Sequence, residues 1–259
     1  METRFRPDIS WTVVKAMACL AVVVFIALQR VTAGYGMTRT QGWGPTVDNR
    51  IGWIAMESPA FIAMLAIWLA SPYRASAAPA VMAMLFLIHY FQRSFLFPML
   101  MRGRSEMPWA IVAMGAVFNV INAYMIGGWL FWVSSPDRYP SGWLASPLFV
   151  LGLIVFVVGM GINLHSDSVI RCLRKPGETS HKIPRGGMYR YVTSANYFGE
   201  LTEWLGFAIL TWSWAGVVFV LWTFANLVPR AAALHKRYGE KFGEEYTSLG
   251  RKRIIPFIF

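Results

Sequence analysis

Apolar runs of about 20 residues recur along this chain, and in a bilayer core such runs must satisfy their backbone hydrogen bonds internally, which selects helices. Candidate spans run approximately from Ile9 to Leu28, Ile51 to Ala70, Ala77 to Leu100, Trp109 to Trp132, Pro147 to Leu164, Tyr197 to Trp212 and Ala215 to Leu227. The last two are short, and Ser213-Trp214 between them reads either as a turn or as a kink in one helix. With 56% hydrophobic and only 14% charged residues, the chain is too apolar for an ordinary soluble domain. The pattern predicts an all-α, polytopic integral membrane protein with about seven transmembrane helices. It forms one domain over residues 1–259, because no internal repeat, low-complexity tract or linker divides it.

Charge gives this reading an orientation. If the chain crosses seven times, one face receives the segments around 30–50, 101–107, 165–196 and 228–259, which hold most of the 24 Lys and Arg residues. The other face receives Arg4, Arg6, Lys15, Arg74 and Arg138, while Arg93 lies within a span. The positive-inside rule then puts the C-terminus in the cytosol and the N-terminus outside. It also accounts for the formal charge of +11 without nucleic acid. A cleaved leader ending near Val31-Thr32-Ala33 is the weaker alternative, since its removal would leave the basic 30–50 loop on the outer face. Cys19 and Cys172 offer neither a disulfide framework nor metal-ligand spacing, so no metal is expected.

Polar residues inside or beside the spans carry the candidate chemistry, because each is costly in lipid unless paired or functional. The stretch from Asn163 to Trp204 holds Asn163, Asp167, Arg171, Arg174, Lys175, Lys182, Arg185, Arg190, Asn196, Glu200 and Glu203 around a Pro184-Arg185-Gly186-Gly187 turn. Guanidinium groups and accessible backbone N–H groups suit an anionic ligand; a loop that only orients the chain in the membrane is the competing reading. Asn163 and Asp167, like Asn196 and Glu200, are four apart and share a helix face, positioned to clamp a nucleotide or simply to cap helices. Glu57 lies in the second span and His89, Tyr90 and Arg93 in the third. A neutral Glu57 sharing a hydrogen bond with Tyr90 would serve catalysis, whereas a Glu57–Arg93 ion pair would be polar glue between helices.

Other signals point away from function. Gly159-Met160-Gly161 follows no strand and lacks the third glycine of a dinucleotide fingerprint, so close helix packing is its better explanation. The 12 Trp residues fall largely near span ends, as an interfacial belt does. Neither a nucleophile elbow nor an HExxH motif is present, which leaves hydrolysis without support.

Taken together, Met56-Glu57-Ser58-Pro59, His89-Tyr90-Phe91-Gln92-Arg93, Arg102-Gly103-Arg104, Asn163-Leu164-His165-Ser166-Asp167 and Leu173-Arg174-Lys175-Pro176-Gly177-Glu178 form one ordered set. Ile183-Pro184-Arg185-Gly186-Gly187, Ala195-Asn196-Tyr197-Phe198-Gly199-Glu200 and the closing Ile255-Pro256-Phe257-Ile258-Phe259 complete it. The set closely resembles the steroid 5-alpha-reductases over nearly the whole chain from Tyr35 onward. The resemblance implies a seven-helix membrane enzyme that uses NADPH to reduce the 4,5 double bond of a 3-keto-4-ene steroid, delivering hydride to C5. It implies that Glu57 and Tyr90 polarise the C3 carbonyl, and that Arg104, Asn163, Asp167, Arg174, Lys182, Asn196, Glu200, His235 and Tyr238 bind the cofactor. Tyr35, Trp53 and Arg93 are assigned with Glu57 and Tyr90 to the substrate pocket. Its partners would be a steroid and the lipid bilayer, without nucleic acid or an obligatory protein partner. The bilayer would be the cytoplasmic membrane of a bacterium or the endoplasmic reticulum of a eukaryote.

Three positions depart from the family pattern. Met56 stands where Gln is usual, Lys182 where Arg is usual, and a single His235 beside Leu234 replaces two neighbouring histidines. Met56 removes a hydrogen bond available to the substrate carbonyl, and Lys182 keeps charge but loses the bidentate fork. An isoprenylcysteine-type membrane methyltransferase using S-adenosylmethionine has a similar basic, Tyr-rich C-terminal region and is the alternative enzyme. A sterol or lipid carrier is the non-enzymatic one. Methyl transfer requires neither Glu57 nor Tyr90, and a carrier requires no nucleotide.

Overall fold

A computed structural model describes residues 7–31, 42–102, 105–173 and 180–259. Its long helices are α1 (Pro7–Leu28), α2 (Asn49–Ala70), α3 (Ala77–Phe91), α5 (Trp109–Gly128), α6 (Pro147–Cys172), α7 (Ala195–Thr211) and α8 (Trp214–Phe242), with short α4 (Phe97–Leu100) and α9 (Glu244–Thr247). The described residues form strands only at β1 (Thr46–Asp48) and β2 (Glu106–Pro108), which pair antiparallel with Val47 opposite Met107. The pair ties the segment before α2 to the segment before α5. Among the described residues six helical stretches are long and apolar enough to cross a membrane, and α7, at 17 residues, is shorter. Yet α7 spans about 25 Å at 1.5 Å per residue and lies antiparallel along α6, with Gly206 near Phe156 and Gly199 near Asn163.

Apolar side chains are abundant on the outside, as lipid permits and water does not. Val22, Val23 and Ile26 of α1 are exposed, as are Val150, Leu151, Ile154, Val157 and Val158 of α6. Inside, Phe86, Phe156, Trp204, Phe207 and Phe219 fill the centre, with Trp204 and Phe219 ring centroids 4.3 Å apart. Each such aromatic pair adds about 0.5–1.5 kcal/mol beyond its buried area.

Glycine sets the closest contact in the bundle. A Cβ on Gly152, Gly159, Gly199 or Gly206 would overlap main-chain atoms of the facing helix, so α6 and α7 meet backbone to backbone. Gly159 therefore has the packing role expected of it, whereas Gly161 faces nothing within 4 Å. This approach brings the polar residues near the C-terminal end of α6 against those at the start of α7.

One boundary left open by the sequence is decided here, and two differ from the sequence reading. Trp212 adopts a left-handed conformation (φ 44°) and the Ser213 hydroxyl accepts the Gly216 N–H at 3.1 Å, so this point is a tight reversal between α7 and α8 rather than a kink. α8 runs on to Phe242, well past Leu227, because the helix continues through a polar sequence after its apolar run ends. The third span is interrupted by a π-helical turn over Gln92–Leu96. Pro98 supplies no N–H and its ring would clash with the carbonyl four residues back, and a widened turn relieves both problems. The consequence is that Gln92, Arg93 and Ser94 are buried in succession.

Candidate active site

Glu57 on α2 and Tyr90 on α3 are brought to the same buried locus, but their link is a third residue. Tyr90 OH donates to Asn119 Oδ1 at 3.1 Å, and Asn119 Nδ2 donates to Glu57 Oε2 at 3.1 Å and to the Met56 carbonyl at 2.7 Å. The direct Glu57–Tyr90 hydrogen bond expected from the sequence is thus replaced by an amide bridge from α5. Asn119 carries no charge and sits in an apolar run, so ionisable residues alone do not point to it. The signal was the pair Asn119 and Asn122, three apart on one face of α5, both buried. Met56 contributes its carbonyl here, while its side chain packs against Gly115.

Arg93 takes Asp167 as its carboxylate partner, at 3.1 Å, in place of the Glu57 ion pair considered above. Its guanidinium also lies over the rings of Trp53 and Phe97, 4.6 and 4.5 Å from their centroids. Both charges are buried, and such a pair holds only when each member keeps the other. Asp167 further accepts from Asn196 Nδ2 at 3.2 Å, and Asn163 Nδ2 donates to the Asn196 carbonyl at 3.0 Å. The proposed substrate residues Trp53 and Arg93 are therefore joined to the proposed cofactor residues Asp167, Asn196 and Asn163. Glu200 lies one turn along from Asn196 and is half-buried.

A second carboxylate, Glu203, meets His89 Nδ1 at 2.8 Å with both side chains buried. The His89 ring packs edge-on against Trp204 at 4.5 Å and Tyr90 at 5.2 Å, so α3 is keyed to α7 directly behind Tyr90.

At the end of the bundle that carries the basic loop, Lys182 is exposed in the connection between α6 and α7. His235 and Tyr238 project from α8 toward Tyr246: the Tyr238 and Tyr246 rings stack at 5.3 Å, and His235 Nδ1 lies 2.7 Å from Thr193 Oγ1 and 3.0 Å from Tyr246 OH. Tyr35, Arg104 and Arg174 lie outside the described residues. Arg251 was not singled out from the sequence. It is buried beside Tyr189, Tyr238, Tyr246 and Arg185, with Nε and Nη1 unpaired. Burial lowers the Arg251 guanidinium from its ordinary range and pushes the Tyr189 hydroxyl well above its own, and that hydroxyl is unpaired too. Buried donors without partners are costly, and an anion would satisfy them. The set fits a phosphate-bearing ligand.

Two surface clefts are separate from this centre. One, of about 580 Å³, includes His165, Gly187, Arg190 and Tyr191; the other, of about 590 Å³, lies among Trp11, Trp129, Trp212 and Trp214 at the opposite end. Neither is lined by Glu57 or Tyr90.

Comparison with known proteins shows what such an arrangement accompanies. The family model for 3-oxo-5-alpha-steroid 4-dehydrogenase matches residues 105–259. Steroid 5-alpha-reductase DET2 of Arabidopsis thaliana is 38% identical over 253 residues, covering 93% of this chain and 95% of its own. The 3-oxo-5-alpha-steroid 4-dehydrogenase 1 of Mus musculus is 42% identical over 241 residues (92% of each chain), and that of Homo sapiens is 39% identical over 238 residues (91% and 90%).

Proposed function

This chain belongs to the 3-oxo-5-alpha-steroid 4-dehydrogenase family of oxidoreductases acting on CH–CH groups, and from that premise we propose that it reduces the 4,5 double bond of 3-keto-4-ene steroids with NADPH. The observation that carries the reading is the Glu57–Asn119–Tyr90 group, a carboxyl and a phenol held together by an amide in the bundle interior. Bound NADPH supplies the hydride that C5 receives, and C4 gains a proton. As the C5–H bond forms, the electrons of the 4,5 double bond move toward the C3 oxygen. Tyr90 and Glu57 meet that oxygen with hydrogen bonds that strengthen as its charge grows, which lowers the barrier more than it tightens ground-state binding. Tyr90 and Asn119 are buried, so their hydrogen bonds act in a medium of lower dielectric than water.

Asn163, Asp167, Asn196 and Glu200 are assigned to the polar body of the cofactor, with His235 and Tyr238 beside it. Lys182, Arg104 and Arg174 are assigned to its phosphates, and Arg251 joins them because its unpaired, buried guanidinium has the right chemistry. Trp53 and Arg93 flank the steroid. Placing the basic end in the cytosol puts these residues where NADPH is available, with the N-terminus on the far side. A reporter fused after Phe259 that reads out on the far side would remove this orientation. The test of the function is a titration of purified protein in detergent with NADPH and with S-adenosylmethionine. Saturable binding of NADPH alone is expected; binding of S-adenosylmethionine alone would replace reduction with methyl transfer.

A further inference from the structure

The amide of Asn119 leaves no freedom in how the group is wired. A carbonyl cannot donate, so the Met56 oxygen, 2.7 Å away, must face the NH₂ of Asn119 rather than its oxygen. That turns Oδ1 toward Tyr90, whose hydroxyl is then the donor in the 3.1 Å contact. The same NH₂ group supplies a donor to Glu57 Oε2. The proton of a neutral Glu57 is then favoured on Oε1, because Oε2 accepts better as the carbonyl oxygen of the acid. Asn119 is 4% exposed and Tyr90 is buried with it, so the bond between them is shielded from water.

We infer that Asn119 is a positioning residue for the reduction, fixing the direction of the hydrogen bonds around Glu57 and Tyr90 so that both answer to the same substrate oxygen. This rests on reading Glu57 and Tyr90 as the pair that polarises the ketone. Before substrate binds, the Tyr90 hydroxyl donates to Asn119 Oδ1; the arriving carbonyl is a second acceptor toward which the hydroxyl turns. Glu57, its Oε2 engaged by the amide, offers the proton on Oε1 to the same oxygen. The amide is the side chain that does this, because it presents a donor and an acceptor from one rigid plane and cannot titrate. An aspartate in its place would set a second carboxyl against Glu57, and the two would share a proton at neutral pH.

The experiment measures kcat, KM, NADPH affinity and thermal stability for Asn119→Ala, Asn119→Leu, Asn119→Asp, Tyr90→Phe, Glu57→Gln and the double variant Asn119→Ala/Tyr90→Phe. Asn119→Ala should lower kcat roughly 10- to 100-fold, by analogy with the loss of a hydrogen-bond partner that orients a metal ligand, with NADPH affinity unchanged. Asn119→Leu retains the shape without the amide and should behave alike, which keeps the test open if the alanine variant is unstable. Asn119→Asp should displace the pH profile of kcat. The double variant should turn over at nearly the rate of Tyr90→Phe alone, because residues acting as a unit are non-additive. A structural Asn119 would instead give losses that multiply, together with lower stability and weaker NADPH retention. Wild-type kcat in folded Asn119→Ala and Asn119→Leu, with Tyr90→Phe slow, overturns the role of Asn119 and leaves the Glu57–Tyr90 reading standing. If Tyr90→Phe and Glu57→Gln also match wild type, that reading fails and takes this inference with it.

Discussion

Tyr90 is the residue at which catalysis and packing can be separated most cleanly, because its ring belongs to the core and its hydroxyl to the site. The ring lies 4.5 Å from Phe86 and 5.2 Å from His89, and Tyr90→Phe leaves both contacts in place. The substitution should therefore keep the core packing and cost stability only the one hydrogen bond to Asn119, while the loss of one oxyanion donor lowers kcat by roughly 100- to 1000-fold. Glu57→Gln retains the volume and one acceptor but removes the proton, and it should also slow turnover without weakening NADPH. Normal kcat with a depressed melting temperature in either variant would make the residue a helix contact instead. Glu57, Tyr90, Asp167 and Arg93 were conspicuous in the sequence because an ionisable side chain inside an apolar run announces itself. Asn119 and Arg251 were not: a neutral amide makes no such signal, and one arginine among Arg251, Lys252 and Arg253 looks like any basic loop residue until its burial is seen.

Helix existence was legible from apolar runs, since only a helix closes its own hydrogen bonds in lipid, but helix ends and interruptions were not. α8 outruns its apolar segment to Phe242, and the π-helical turn at Gln92–Leu96 depends on how a backbone accommodates Pro98. That turn positions Arg93 against Asp167, so a feature without a period in the sequence connects the two halves of the site. The contact of α6 with α7 gives the element scale its own prediction. Gly199→Leu should destabilise the protein by roughly 1–3 kcal/mol or more, as overpacking does where backbones touch. Because Asn163 and Asn196 meet across the same contact, NADPH binding should weaken with it. Gly161→Leu is the control, facing nothing within 4 Å, and should melt as wild type does. Equal melting temperatures for the two variants would deny α6–α7 packing its role in shaping the site.

At the scale of the whole molecule, the bundle separates two environments that the reaction needs together. Aromatic and aliphatic side chains fill the interior around Tyr90, while Lys182, Arg185 and Arg251 gather at one end with Tyr189, Tyr238 and Tyr246. The Arg93–Asp167 pair and the Asn163–Asn196 contact connect the two regions through buried polar groups. Under the proposed function, a ketone oxygen at Glu57 and Tyr90 and a phosphate-bearing cofactor at the basic end would share one site built from α2, α3, α5, α6, α7 and α8. The most direct measurement of that claim follows purified protein in lipid nanodiscs with NADPH and a 3-keto-4-ene steroid. It records enone lost, NADPH consumed and the configuration at C5 of the product. Disappearance of the enone mole for mole with NADPH, giving the saturated 5α ketone, is the predicted result, and Tyr90→Phe should slow both changes together. Bound NADPH that is never consumed in the presence of the steroid, or a reduced product whose C4–C5 double bond survives, would contradict it.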